Sequence, residues 1–423
     1  MKITALAAYD LRFPIGRAGS DALHTDPVYS FATCVLRTDE GVEGTGVTLT
    51  LGRGNELVTH AIGRLAPLAL GADVSTVVRD LGEFAARWSN ESQLRWLGPH
   101  KGVIHLALAS VLGAVVDLWA KLHGRPLWRL LLEQEPEEIV RLVDFSTVDD
   151  FLTREEALSM LRDRRLPAAE LEAQIARGYP AYDTSVGWLG YSDDELQRNA
   201  ASAVEAGFGA VKVKVGLDDL EADRRRVGVV RHEVGRDRLV MVDANQRWGV
   251  EGAIAAGRAL AEFDPFWFEE PVHPDDVLGY RDVSRALAPM RIAGGEHVSN
   301  PVLFKNFIRS GALQVVQPDA VRLAGLPEYL AVALMAAKAG LPALPHVGDM
   351  GQLHQHLIVF TRCALGMPEL PLELIPHLAQ HFVDPVVVRD GAYVLPEQPG
   401  AGMTLRPESI GRFCRMAGAW DAP

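Results

Sequence analysis

The sequence predicts an α/β fold, a (β/α)8 barrel preceded by an α+β domain. Three observations carry that prediction. From residue 179 onward short apolar runs alternate with helical stretches, eight such runs can be named, and charged or imidazole side chains stand where several of them end.

The candidate strands are 181–186, 210–215, 239–243, 267–270, 291–293, 313–317, 341–344 and 370–374, with helical periodicity between them, as at 218–234 and 325–339. Nearly continuous apolar runs of this length are what strands covered on both faces look like. Eight is the count that closes a barrel. An open doubly wound sheet is the alternative, but no Gly-rich dinucleotide loop follows the first run. Residues 1–135 read as the α+β domain, with a strand-like run at 28–36, a Gly-rich turn at 41–46 and a long apolar-periodic helix at 103–122. Residues 136–381 hold a helical connector, which begins within 133–177, and then the barrel. The Pro- and Gly-bearing segment 382–423 is expected to return to the first domain.

At 423 residues the chain exceeds one ordinary core, and 48% hydrophobic with 23% charged residues is the balance of a globular protein. A formal net charge of −13 without Lys/Arg clusters excludes a nucleic-acid partner, since phosphate backbones are bound by clustered cations. A small anionic ligand must therefore meet locally positive chemistry, either a metal ion or a few inward lysines. Cys34, Cys363 and Cys414 lie far apart with no paired spacing, which suits a reducing compartment. The first 14 residues read as strand rather than leader, and the apolar stretch 329–337 is too short to span a bilayer. A cytoplasmic protein with no membrane partner is expected.

Asp243, Glu269 and Glu296 end three successive runs, 26 and then 27 residues apart. That spacing is about one βα unit, so the three acids converge on one rim, the C-terminal face where barrel active sites lie. An acid at such a junction can instead cap the following helix. Three in register favour a shared cation, and oxygen-only ligands favour a hard ion such as Mg2+. Glu269 is the assigned member; its neighbour Glu270 faces the other way, so strand register decides between them.

Lys212 and Lys214 point to one side of the second run. Lysines also guard exposed edge strands, but a strand inside a barrel has no edge, and two inward ammonium groups need a reason. To act as a base near neutral pH a lysine must fall from about 10.4 towards 7, a change on the order of 4 kcal/mol. Asp319 and His346 end the sixth and seventh runs, where the carboxylate could orient the imidazole as a proton donor. His297, His354 and His356 read as structural.

Together these residues resemble the enolase superfamily, in its mandelate racemase-like subgroup: a lysine pair on the second strand, acids on the next three, an Asp–His pair on the sixth and seventh. Within that subgroup the chain is similar to the L-fuconate dehydratases, in Gly-Ser-Asp-Ala at 19–22, Asp-Pro-Val-Tyr-Ser at 26–30, Trp-Leu-Gly-Pro-His-Lys-Gly-Val-Ile-His-Leu at 96–106 and Thr-Ser-Val-Gly-Trp-Leu-Gly-Tyr-Ser-Asp at 184–193. The run after His346, Val-Gly-Asp-Met-Gly-Gln-Leu-His-Gln-His, departs from the Ala-Gly-Gly type of that family and is slightly shortened.

The resemblance implies an enolase-type modified barrel under an N-terminal capping domain, with Gly19, Ser20, Asp21 and Tyr29 reaching a sugar-acid substrate from above. Lys212, Asn245, His346 and Glu373 would contact it from below. It implies Mg2+ held by Asp243, Glu269 and Glu296, Lys214 as the base, Lys212 stabilising carboxylate charge, and His346 with Asp319 protonating a departing 3-hydroxyl. Glu373 would bond the substrate as a neutral acid. The product would be a 2-keto-3-deoxy acid, and a homo-oligomer is expected. The competing outcomes are a racemase or epimerase using the same enediolate, a cycloisomerase, or a ligand-binding relative without turnover.

Overall fold

The computed structural model describes residues 1–15, 19–25 and 27–422, so Asp26 of the 26–30 motif lies outside the described residues. The first domain is built on an antiparallel sheet. β1 (Ile3–Pro14), β2 (Val28–Thr38) and β3 (Glu43–Thr50) form a meander whose outer neighbour is the last strand, β13 (Cys414–Asp421), in the order β13-β1-β2-β3. β2 is almost wholly buried, whereas β13 alternates half-buried and exposed residues, as an edge strand does.

The helix Val103–Leu122 lies across β3. A Cβ on Gly46 would sit 2.0 Å from the Ser110 carbonyl oxygen, so only glycine allows this approach. By length and composition this helix could cross a membrane, yet it is mostly buried within the protein and serves as a core helix. The connector forms helices Pro136–Arg141, Arg154–Asp163 and Ala168–Arg177, the second opened by a capping box at Thr153.

The second sheet consists of β4 (Tyr179–Gly187), β5 (Ala210–Lys214), β6 (Leu239–Asp243), β7 (Phe268–Glu269), β8 (Ile292–Gly294) and β9 (Val315–Val316), each parallel to the next, with β10 (Leu372–Leu374) parallel to β4. Seven of the eight expected runs are strands. The run 341–344 is not: it makes an isolated parallel bridge, Val316 to Ala343, because Pro342 and Pro345 remove the donors a ladder needs. It is still bonded to β9, since Val316 N–H donates to the Pro342 carbonyl (3.0 Å) and Leu344 N–H to the Val316 carbonyl (3.0 Å), and the loop that follows reaches β10 through Gly348 N–H to the Glu373 carbonyl (2.7 Å).

The segment 382–423 is shared between domains rather than returned whole to the first. β11 (Val388–Arg389) and β12 (Ala392–Tyr393) form a hairpin that pairs antiparallel with the start of β4, while β13 completes the first sheet. Asp117, fully buried on the long helix, ties these parts together. Its carboxylate accepts Thr45 N–H of β3 (2.8 Å) and Ala401 N–H of the C-terminal segment (2.7 Å), and pairs with Lys121 (2.7 Å). Asp117→Ala strands two buried N–H groups, and urea denaturation is expected to show a loss of about 3 kcal/mol.

Candidate active site

Strand register assembles the site. Lys214 stands opposite Asp243, and Asp243 opposite Glu269, along one rim. Glu296 lies two residues past the end of β8. Asp243, Glu269 and Glu296 each bring an oxygen into a group whose members lie within 4.8 Å of one another. Three buried or nearly buried carboxylates with no thiolate among them fit a hard divalent ion. Glu269 is the member that shares Lys212; Glu270 faces Gln246 and His297 instead, and forms a second grouping with Glu296 and His297.

Lys212, with no exposed surface, is held by Glu373 (2.7 Å), Glu269 (3.0 Å) and Asp243 (3.4 Å). Lys214 Nζ donates to Asp243 Oδ2 at 2.6 Å and lies over the Trp188 ring. Burial pulls both ammonium groups down, but Glu269 and Glu373 drive Lys212 well above its ordinary value and Asp243 raises Lys214. The carboxylates around them outweigh burial at both ammonium groups. A cation engaged by those acids would cancel the field that keeps the lysines protonated.

Burial pushes Glu269 up to about 7, against the pull of Lys212, with Asp243 adding to the rise. Glu373 goes the other way: burial raises it, but Lys212, His346 and Lys214 bring it below the usual carboxylate range. The Oε1 of Glu373 also receives the Thr184 hydroxyl, while Oε2 accepts no hydrogen bond and lies 3.8 Å from His346 Nε2.

His346 Nδ1 lies 2.9 Å from Asp319 Oδ2 and its Nε2 lies 3.0 Å from Glu296 Oε2. Burial lowers its pKa, but Glu296 and Asp319 more than offset that and raise it well above the ordinary value. Asp319 is itself fixed: its Oδ1 accepts Val321 N–H at 2.8 Å and lies 3.3 Å from His354 Nε2. His354 is thus structural, as read from sequence. His297 is not merely so. It lines the pocket, and despite burial Glu270 and Glu296 raise its pKa to about 10.

One pocket joins cap and barrel. Gly19, Asp21 and Tyr29 line it from the first domain, and Lys214, Asn245, Glu296, His346 and Glu373 from the second. Lys212, Asp243, Glu269 and Asp319 lie behind that lining. Ser20, expected to reach substrate, is outside it: its hydroxyl donates to the Thr25 carbonyl (3.3 Å) and its own carbonyl accepts Leu189 N–H (3.1 Å), pinning the cap loop to the end of β4. Asp21 is raised by burial but brought below its ordinary value by His24, 3.0 Å away, and by Lys214.

Sequence reasoning missed His24, Trp188, Gln246, Arg322 and Asp349, all of which line the pocket. Gln246, Arg322 and Asp349 follow Asp243, Asp319 and His346 by three residues each, so distance past a strand end was an available signal; Trp188 stood within the quoted 184–193 motif, and His24 had no signal. Asn245, Gln246, Glu270 and Val347 have left-handed φ of 42°, 64°, 43° and 58°. Such strain costs about 1–3 kcal/mol per residue and concentrates at functional sites.

These features define an enolase-type protein, a capped barrel with its acids on successive strand ends. Residues 12–131 match the family model of the mandelate racemase / muconate lactonizing enzyme N-terminal domain, and residues 195–409 match that of the enolase C-terminal domain-like family; the chain belongs to this superfamily. It is 44% identical to mitochondrial enolase superfamily member 1 of Bos taurus over 97% of this chain and 95% of that one. It is 42% identical to L-galactonate dehydratase of Hypocrea jecorina over 97% and 93%. The crystal structure of human mitochondrial enolase superfamily member 1 superposes with a TM-score of 0.95 at 43% identity, covering 98% of this chain and 96% of that one. L-talarate/galactarate dehydratase from Salmonella typhimurium LT2, liganded with Mg and L-lyxarohydroxamate, gives 0.79 at 25% identity, covering 99% and 94%.

Two measurements follow from this geometry. Titrating Mg2+ is expected to raise the melting temperature, with about 2.7 kcal/mol gained at one hundred times Kd, and Asp243→Asn is expected to abolish the gain. In the metal-free protein, Asp319→Asn removes an anion that raises His346, so the imidazole NMR signals should titrate at lower pH than in the native chain.

Proposed function

We propose that this protein is a magnesium-dependent sugar-acid dehydratase that converts an aldonate to a 2-keto-3-deoxy acid, with L-fuconate or a related acid such as L-galactonate or D-arabinonate as substrate. The observation that carries this reading is that Lys214 and His346 line one pocket beside Glu296, with Asp319 fixing the imidazole from behind. Relatives named as L-galactonate dehydratase and arabinonate dehydratase support it, the second 31% identical over 50% of this chain.

Asp243, Glu269 and Glu296 would hold the ion. Bound there, magnesium supplies positive charge to a substrate carboxylate whose α-carbon is losing a proton. Lys214 Nζ takes that proton, and Lys212 keeps a positive charge beside Glu269 and Glu373. His346 Nε2 gives a proton to the 3-hydroxyl, the C–O bond breaks, water leaves, and the enol becomes the keto acid. Asn245 and the cap residues Gly19, Asp21 and Tyr29 position the polyol. The proposal extends to a cytoplasmic homo-oligomer; the three unpaired cysteines suit the reducing compartment it assumes.

A racemase or epimerase is favoured by the same observation, since a lysine and a histidine facing one pocket can also act on one carbon. A screen of aldonates with Mg2+ separates the readings. The dehydratase is expected to form 2-keto-3-deoxy acid, and Lys214→Ala and His346→Ala to lower kcat by about 10²–10⁴-fold. Deuterium entering recovered substrate without keto acid would favour the isomerase, and tight binding of aldonates with no turnover would overturn both.

A further inference from the structure

Asp349 lines the pocket shared by Lys214 and His346, has only 1% of its surface exposed, and plays no part in the chemistry above. Its Oδ1 accepts Ile375 N–H at 3.0 Å, while Oδ2 is buried with no protein partner. Leaving such a group unpaired costs about 1–3 kcal/mol, so its retention at a pocket wall points to a ligand.

The loop cannot relieve that cost by turning Asp349 away. Gly348 N–H donates to the Glu373 carbonyl (2.7 Å), and Gln355 Nε2 to the Gly348 carbonyl (2.9 Å). A Cβ on Gly348 would stand 2.7 Å from both Leu372 Cδ2 and the Tyr393 hydroxyl, so the backbone is pressed flat against β10. Val347, just before it, is in the left-handed region at φ 58°. One carboxylate oxygen is thus clamped by Ile375 and the other presented, and this happens in the Val-Gly-Asp-Met-Gly run that departs from the L-fuconate-type sequence.

We infer that Asp349 is a specificity-determining residue whose Oδ2 hydrogen-bonds one hydroxyl of the substrate's polyol chain beyond the reacting carbons, at the wall formed with Ile375 and Tyr29. The inference rests on the sugar-acid reading of the site. Burial pushes the Asp349 carboxyl far above its usual range against the pull of the Ile375 N–H, and the charge of Glu373 adds to the rise. A hydroxyl both donates and accepts, so it satisfies either form of the acid. An apolar or deoxygenated carbon at that place satisfies neither.

The test compares kcat/KM for the best aldonate and its monodeoxy analogues at each carbon beyond C3, in the native enzyme, Asp349→Ala and Asp349→Asn. A site built to bond a hydroxyl rejects the analogue lacking it by up to about 10⁴-fold. The native enzyme should therefore reject one analogue by at least about 100-fold, and Asp349→Ala should reduce that ratio to within a few-fold by slowing the parent acid alone. Asp349→Asn keeps the acceptor for Ile375 N–H and a polar group for the hydroxyl, so it should retain most of the discrimination. Equal loss on every analogue in Asp349→Ala, with discrimination preserved, would overturn the inference. If no aldonate is turned over, calorimetric Kd values for the same series with Mg2+ decide. Discrimination in binding without turnover sinks the dehydratase reading and keeps the role of Asp349, whereas binding that ignores every hydroxyl sinks that role.

Discussion

Lys212 is the pivot of this molecule: an ammonium group with no exposed surface, held by acids from β6, β7 and β10. Burying a charge is expensive, and the surrounding acids are equally intolerable without it. Each side of the arrangement is therefore conditional on the other. Because its partners come from different strands, the same contacts that balance charge also hold the strand ends at fixed separation. The catalytic groups proposed for this chain inherit their positions from that frame.

The frame also explains why the tuning runs as it does. Acids outnumber cations at the rim, so the lysines and His346 are raised while Glu296 and Asp319 are lowered, the imidazoles doing much of the work. A site in this condition is short of positive charge at its centre, and the oxygen-rich donor set is where that shortage is greatest. From above, Arg322 spans the two domains: its Nε donates to the Glu296 carbonyl (2.9 Å) and its Nη1 to that of Leu49 on β3 (3.2 Å). The cap and the Glu296 loop are thus held by one guanidinium.

Much of this was legible in the residues, for reasons that differ by element. β6 ended where its apolar run met Asp243, because a buried parallel strand stops at its first rim charge. The helix Val103–Leu122 was readable from period and from the glycine and proline that follow it. The segment 341–344 was misread because an apolar run was weighed above Pro342 within it and Pro345 just after it. Spacing alone brought the acids to one rim, but the choice of Glu269 over Glu270 needed the strand register, and the balance of charge at the lysines depends on which acids approach Nζ and how closely. Ser20 and Asp349 mark the same limit in loops: backbone path decides whether a polar side chain turns into a pocket or closes a turn, and no periodicity encodes that path.

The pairing of β13 with β1 joins the two extremes of the chain, Ala5 opposite Asp421 and Leu11 opposite Cys414. The first sheet consequently stays unfinished during synthesis, with one flank of β1 bare, until residues 414–421 emerge from the ribosome. Contacts of such long sequence separation form late and slowly. The cap residues Gly19, Asp21 and Tyr29 that line the pocket thus belong to a domain whose sheet is closed on one flank by its most sequence-distant partner.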